Sequence, residues 1–294
     1  HNLSKRHDIP LSTLKFNAKV LRKLGLIEIT NRKNVVLSHS GRMVVSFLND
    51  IMSPEFKPRH IQRLRELSES LKNTLSESLY KVNGFHQRSS LSCIDILLTL
   101  LEGWLRLGIF NLGSLVLSKG HAVPALYVVL AEYGLIPRCE LKDLGKLGSK
   151  LQTHPDSSCN MPLVTVSTGS LGQGLSVANG IALAMRLNGK NGNVYVLMGD
   201  GELDEGQVWE AVATAANYSL DNVIAVIDRN EQQLSGPTEV VKKKGALRAK
   251  WESFGWEVFE VDGHDHEQLM KTFIKAEAKK NGNPKTVLAR TNGG

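Results

Sequence analysis

The sequence predicts an α/β protein: a doubly wound, mainly parallel sheet preceded by a small basic module. Three observations carry that prediction. Residues 194–198 and 223–227 are strand-length apolar runs, and Val208, Trp209, Val212, Ala215 and Ala216 between them follow the spacing of one helix face. Strand, helix and strand in that order make a parallel βαβ unit, and segments of the same two kinds recur on both sides of it. Charge, by contrast, is local. Residues 1–50 hold nine Lys/Arg against three Asp/Glu, so +6 of the net +7 belongs to them.

Composition narrows the class. At 41% apolar and 22% charged residues the chain is an ordinary soluble globular protein, neither disordered nor fibrous. No run of 18 apolar residues exists, so no membrane helix is expected. No apolar segment near the start marks a secretory signal. Cys93, Cys139 and Cys159 lack metal or CxxC spacing, which suits reduced thiols in the cytoplasm. For 294 residues two domains are expected: a module over 1–50, a Pro-containing linker over 51–58 and a larger domain over 59–294. The ends, His1 and Asn292-Gly293-Gly294, read as cut from a longer chain.

In the basic module, residues 2–7 read as the end of a helix and Asp8-Ile9-Pro10 as a turn. Ser12 or Thr13 can cap a second helix running to Leu24 and closing at Gly25. Its apolar face is Leu14, Ala18, Val20, Leu21 and Leu24, with Lys15, Lys19, Arg22 and Lys23 largely elsewhere. Residues 28–30 and 34–37 can pair as a hairpin around Arg32-Lys33, and 40–48 form another helix. The arrangement resembles a winged helix-turn-helix. That resemblance implies contact with double-stranded DNA, lysines on phosphates and the second helix in a major groove. A solvated basic face on a protein-binding domain is the alternative.

The larger domain begins with a helix over 59–81, with Leu64, Leu67, Leu71 and Leu75 on one face. A polar loop carrying His86 precedes an apolar helix over 94–101. A strand over 115–118 leads into Lys119-Gly120-His121, and a loop over 147–155 brings His154. The Gly-rich run 167–174 opens a helix over 175–187, with Ser167 or Thr168 able to cap it. After the central unit come a strand over 256–261, a helix over 266–280 and a strand over 286–290. Lys242-Lys243-Lys244 reads as a solvated charge run.

The central unit also predicts chemistry. A right-handed crossover leaves Asp200, within Gly199-Asp200-Gly201, and Asn230 at the carboxyl ends of neighbouring strands, where open α/β sheets bind ligands. A carboxylate and an amide oxygen, with a main-chain carbonyl just beyond Asn230, suit Mg²⁺, which takes its remaining ligands from phosphates and water. A metal-bridged diphosphate is the expected occupant. Three histidines on three loops fit proton transfer, and their spacing is not that of a zinc site.

GDGELDEGQVWEA, LDNVIAVIDRN, SKGHAVPALY, LGSKLQTHPD, STGSLGQGLS and VDGHDHEQL carry a resemblance. Across residues 59–292 the chain resembles transketolase, specifically the separate amino-terminal subunit of split transketolases. The resemblance implies a thiamine-diphosphate-binding fold with thiamine diphosphate and Mg²⁺ as cofactors. By that likeness His86 touches substrate, His121 donates to the diphosphate, and His154 meets the substrate's first hydroxyl and the reacting carbon. Gly169, Ser170 and Leu171 lie against the cofactor rings. Asp200 and Asn230 hold the metal through side chains and Gln232 through its carbonyl, while the Gly201 N–H and the Asn230 amide reach the diphosphate. Leu234 props the bent cofactor, and Glu205 sits at the subunit interface. Phe85, Gln87 and Arg88 depart from the smaller residues usual there, which leaves the channel's shape open.

The implied reaction is two-carbon ketol transfer between sugar phosphates, as in non-oxidative pentose phosphate metabolism. A separate pyrimidine-domain subunit would supply the activating glutamate. The alternatives are a deoxyxylulose-phosphate synthase, a 2-oxo acid dehydrogenase-type subunit, or a non-catalytic DNA-binding sensor of cofactor or sugar phosphate.

Overall fold

A computed structural model describes residues 27–29, 35–37, 58–80 and 86–292. The chain divides into two units, His1–Pro58 and Arg59–Gly294. Within the first, β1 (Ile27–Ile29) pairs antiparallel with β2 (Val35–Leu37), Ile29 opposite Val35. These are the two paired strands expected on either side of Arg32-Lys33, whose turn lies outside the described residues. The flanking helices of the winged helix-turn-helix reading and the linker over 51–57 lie outside the described residues.

In the second unit, five strands form one sheet: β3 (Leu112–Leu117), β4 (Asn193–Gly199), β5 (Val223–Arg229), β8 (Glu257–Asp262) and β9 (Lys285–Arg290). Their order is β3-β4-β5-β9-β8 and every pair is parallel. The central strands VYVLM and VIAVI are buried on both faces, which is why they read as unbroken apolar runs rather than alternating ones. A two-residue hairpin, β6 (Gln232–Gln233) with β7 (Gly236–Pro237), follows β5.

Helices cover both faces. On one, α5 (Gln173–Leu187), α6 (Gly206–Asn217) and α8 (Leu247–Ser253) bury Leu175, Ala178, Val208, Val212 and Trp251 against Val194, Val196 and Met198. On the other, Phe273 of α9 (His266–Ala278) meets Phe110 and Tyr195 edge to face. That geometry adds about 0.5–1.5 kcal/mol per pair beyond area burial. Tyr195 neighbours Val194 in β4, so one strand feeds both cores by alternation. The β8–α9–β9 unit runs back along the sheet, and a right-handed crossover in that direction places its helix on the second face.

At the amino end of this unit lie α1 (Pro58–Tyr80), α2 (Gln87–Ser92) and α3 (Ile94–Leu101). All eight residues of α3 are buried, and it runs on into a π-type turn, Glu102–Arg106. Glu102 is itself buried, accepting from Arg63 at 2.7 Å and from the Tyr133 hydroxyl at 2.6 Å.

Three expectations change. Neither Ser167 nor Thr168 caps α5. Its N-cap is Gly172 at φ 86, while Thr168 donates to the Leu117 carbonyl and Ser167 accepts from the Ser157 N–H. Lys244 is not solvated: it is 3% exposed and pairs with Asp204 at 2.6 Å. Four helices appear that the sequence does not announce: α4 (Val123–Glu132), α2, α7 (Thr238–Val241) and α8. The first is apolar on every side, so it lacks the periodicity that marks a surface helix. No helix among the described residues is long and apolar enough to cross a membrane.

Candidate active site

The carboxyl ends of β3, β4 and β5 open into one cavity of about 400 Å³. Its wall includes His86, His121, His154, Gly169, Leu171, Asp200, Gly201, Glu205, Asn230, Gln232 and Leu234. Every residue singled out from the sequence is therefore there except Ser170, which is exposed beside it. An adjoining space of about 460 Å³ shares His86, His121 and Asn230 and adds Gln87 and Arg88. A further cavity of about 540 Å³, by α1 and α4, contains none of these residues.

Each strand delivers its group in the turn that follows it. After β3, Ser118 and Lys119 lead into a 3-10 turn holding His121. After β4, Asp200 begins the turn Gly201–Asp204 that enters α6. After β5 comes Asn230, then Glu231 at φ 58 and the β6–β7 hairpin, which lifts Leu234 to 89% exposure at its tip.

Asp200 is buried, and its carboxylate accepts from the Gly201 and Glu231 N–H groups, each at 2.9 Å. Burial nevertheless pushes the carboxyl up to about 6, with the nearby Asp228 charge adding to it. Asn230 Oδ1 accepts from the Gln232 N–H at 3.0 Å.

The histidines converge from separate loops. His86 and His121 meet edge to face with centroids 4.9 Å apart, and Ser89 Oγ lies 2.8 Å from His121 Nε2. Burial, then the Lys119 ammonium and the other two imidazoles, holds His121 down to about 3. Burial and His86 lower His154 as well. A β-carbon on Gly169 would stand 3.3 Å from the His154 ring, so this glycine lets the histidine close over it. His121 and His154 are thus neutral at physiological pH, able to donate and accept.

Several residues here had no sequence signal. Lys119 and Asp228 form a buried ion pair beneath the cavity. Burial would lower the lysine, but Asp228 outweighs it and the ammonium is held above its usual range. Glu202, also buried, accepts from the Gly172 N–H at 2.8 Å, the Gly199 N–H at 3.2 Å and the Ser118 hydroxyl. One carboxylate so ties together the turns after β3 and β4 and the start of α5. Ser89 resembles any loop serine. Polarity is visible in a sequence; burial of a polar group against partners a hundred residues away is not.

The donor set fits a hard cation. Asp200 offers a buried carboxylate whose charge burial disfavours and a cation would favour, and Asn230 and Gln232, in the same cavity wall, carry neutral oxygens. Among the described residues no three His, Cys, Asp or Glu side chains cluster as a complete metal cage. Oxygens from Asp200, Asn230 and Gln232 leave room for a ligand's oxygens around a hard cation.

The family defined as transketolase, thiamine diphosphate binding domain, matches residues 79–294. The chain belongs to the transketolase family. It is 39% identical over 218 residues to an apulose-4-phosphate transketolase subunit from Phocaeicola vulgatus, covering 72% of this chain and 77% of that one. It is 35% identical over 233 residues to a 6-deoxy-6-sulfo-D-fructose transketolase subunit from a Clostridium species, covering 78% and 84%. Among solved structures it superposes on transketolase from Pichia stipitis in complex with sedoheptulose 7-phosphate with a TM-score of 0.71 and 27% identity. That match covers 78% of this chain but only 36% of the yeast chain. The transketolase match therefore takes in the large unit, while the basic residues 1–50 fall outside it.

Proposed function

We propose that this chain is the cofactor-diphosphate half of a split transketolase, transferring a two-carbon ketol unit between sugar phosphates in the cytoplasm. The observation that carries the reading is the meeting of Asp200, Asn230 and three histidines in one cavity at the carboxyl edge of a parallel sheet. Asp200, Asn230 and the Gln232 carbonyl would hold Mg²⁺, and Gly201 and His121 would donate to the diphosphate. Gly169 and Leu171 would flank the rings, with Ser170 at their edge and Leu234 beneath the bend. Bound thiamine diphosphate supplies an electron sink for the carbon–carbon bond that breaks. This chain's own part is proton handling and exclusion of water. His121 and His154, kept neutral by burial, can relay a proton between substrate hydroxyls without adding fixed charge.

Glu205 is exposed at the start of α6, on the cavity rim, which suits a contact with a second subunit. We take that subunit to carry the pyrimidine domain, in keeping with relatives named as subunits. Those relatives are named for a ketose phosphate and a sulfo-ketose, which favours an anionic ketose as donor. Residues 1–50, with +6 of the chain's charge, are proposed to contact duplex DNA.

Calorimetry of the co-purified subunit pair tests the central claim. Thiamine diphosphate should bind only with Mg²⁺ present, and Asp200→Ala should abolish the heat. Binding that is indifferent to the metal, or to that substitution, overturns it.

A further inference from the structure

An asparagine that ligates a cation must present its oxygen rather than its NH₂ group, and nothing in its own shape decides which. We propose that Ser92 is a positioning residue that fixes the Asn230 carboxamide in the cation-binding orientation, through a hydrogen-bond chain of set polarity anchored on Asp228. The inference rests on the reading of Asp200 and Asn230 as metal ligands.

The chain starts from a group with no choice. Lys119 can only donate, and it is paired with Asp228; both are fully buried. Set against that ammonium, Asp228 turns only accepting oxygens toward its neighbours. Ser92, equally buried, has one proton. Its oxygen lies 2.6 Å from Asp228 Oδ2 and 3.2 Å from the Ser89 carbonyl, and the shorter, charge-assisted contact takes the proton. Thr291 donates to the other Asp228 oxygen, so the carboxylate has no free edge on which to rearrange.

With its proton committed, the Ser92 oxygen can only accept from Asn230. Nδ2 of Asn230 lies 3.2 Å away and donates to it. A reversed amide would set oxygen against oxygen there, and NH₂ against the Gln232 N–H that Oδ1 now accepts at 3.0 Å. Both ends thus agree on one orientation. Oδ1 is left at the Gln232 N–H, next along the chain to the Glu231 N–H that donates to Asp200, and Asp200, Asn230 and Gln232 all line the cavity.

Ser92 belongs to α2 and Asn230 follows β5, 138 residues later, so no local motif announces the pair. The hydroxyl touches neither cavity nor ligand; it acts through Asn230. Groups that orient ligand side chains in this way are worth about 10–100-fold in metal affinity.

The test uses the full chain co-purified with its partner and titrates Mg²⁺ at saturating thiamine diphosphate, following binding heat. Ser92→Ala should raise the Mg²⁺ Kd about 10–100-fold, with saturating Mg²⁺ restoring cofactor binding. Ser92→Thr, which keeps the hydroxyl, should stay near wild type. Should Ser92→Ala not fold, the near-isosteric Ser92→Cys, a much weaker donor and acceptor, is expected to show the same direction of change. An unchanged Mg²⁺ Kd in a folded Ala or Cys variant overturns the proposal, as does a loss in a folded Ser92→Thr equal to that of Ser92→Ala. If the wild-type pair shows no metal-dependent binding, the reading of the site fails and takes this inference with it. Wild-type binding that no Ser92 variant alters removes this inference alone.

Discussion

Burial keeps two of the cavity's three imidazoles neutral, and this has a measurable cost in acid. In the unfolded chain the His121 ring takes a proton below about pH 6.5, whereas in the fold it is held down to about 3. The unfolded state therefore binds more protons between those values. Stability carried by neutral His121 is whole above pH 6.5 and drains away as pH falls toward 3. Without cofactor, wild type should lose up to about 1.4 kcal/mol per pH unit relative to His121→Asn in that window. Thermal melts of both proteins from pH 4 to 8 would check it, and a difference that is flat with pH would refute it. Gly174 gives a second prediction at this scale. Alanine would ordinarily gain about 1 kcal/mol in a helix. Here its β-carbon would overlap Ser118 Oγ and stand 2.9 Å from Ser118 Cα. Overpacking costs about 1–3 kcal/mol, so Gly174→Ala should lower the denaturation midpoint. Along the chain this glycine run reads as an opening into a ligand helix. Gly169 does line the cavity, while Gly172 and Gly174 make room for Glu205 and Ser118 instead.

Between elements, α9 is held to the sheet by Phe273, fully buried between Phe110 and Tyr195. Phe273→Ala should cost about 3–5 kcal/mol in urea unfolding. An effect below about 1 kcal/mol would mean that this face is far looser than the contacts require. Most elements were legible because their apolar periods are clean. The strand expected over 194–198 spans Asn193–Gly199, that over 223–227 spans Val223–Arg229, and the helix expected over 266–280 spans His266–Ala278. Asp265 caps this last helix, accepting from the N–H groups of Glu267 and Gln268. Legibility failed at α4, whose all-round burial erases periodicity, and at Lys244, whose burial depends on Asp204 forty residues earlier.

Across the whole molecule, the cavity opens at the carboxyl edge of the sheet, with Leu234 and Val240 nearly fully exposed beyond β5. The purified chain without its partner should show no ketol transfer, and adding the partner should restore it. Turnover by the chain alone would remove the two-subunit reading. If residues 1–50 contact DNA, affinity for duplex should fall steeply between about 50 and 200 mM salt. Absence of binding at low salt would assign their charge another role. The sequence by itself determined the sheet's parallel character and the chemistry at its edge. Strand runs and a Gly-Asp-Gly turn are local, and a βαβ crossover has one hand, so Asp200 and Asn230 had to emerge side by side. Only the tertiary structure decided which polar groups lie beneath them. Ser92, Lys119, Glu202 and Asp228 look like any surface residue along the chain, and only the packing of distant segments takes them out of water and forces each to find its partner.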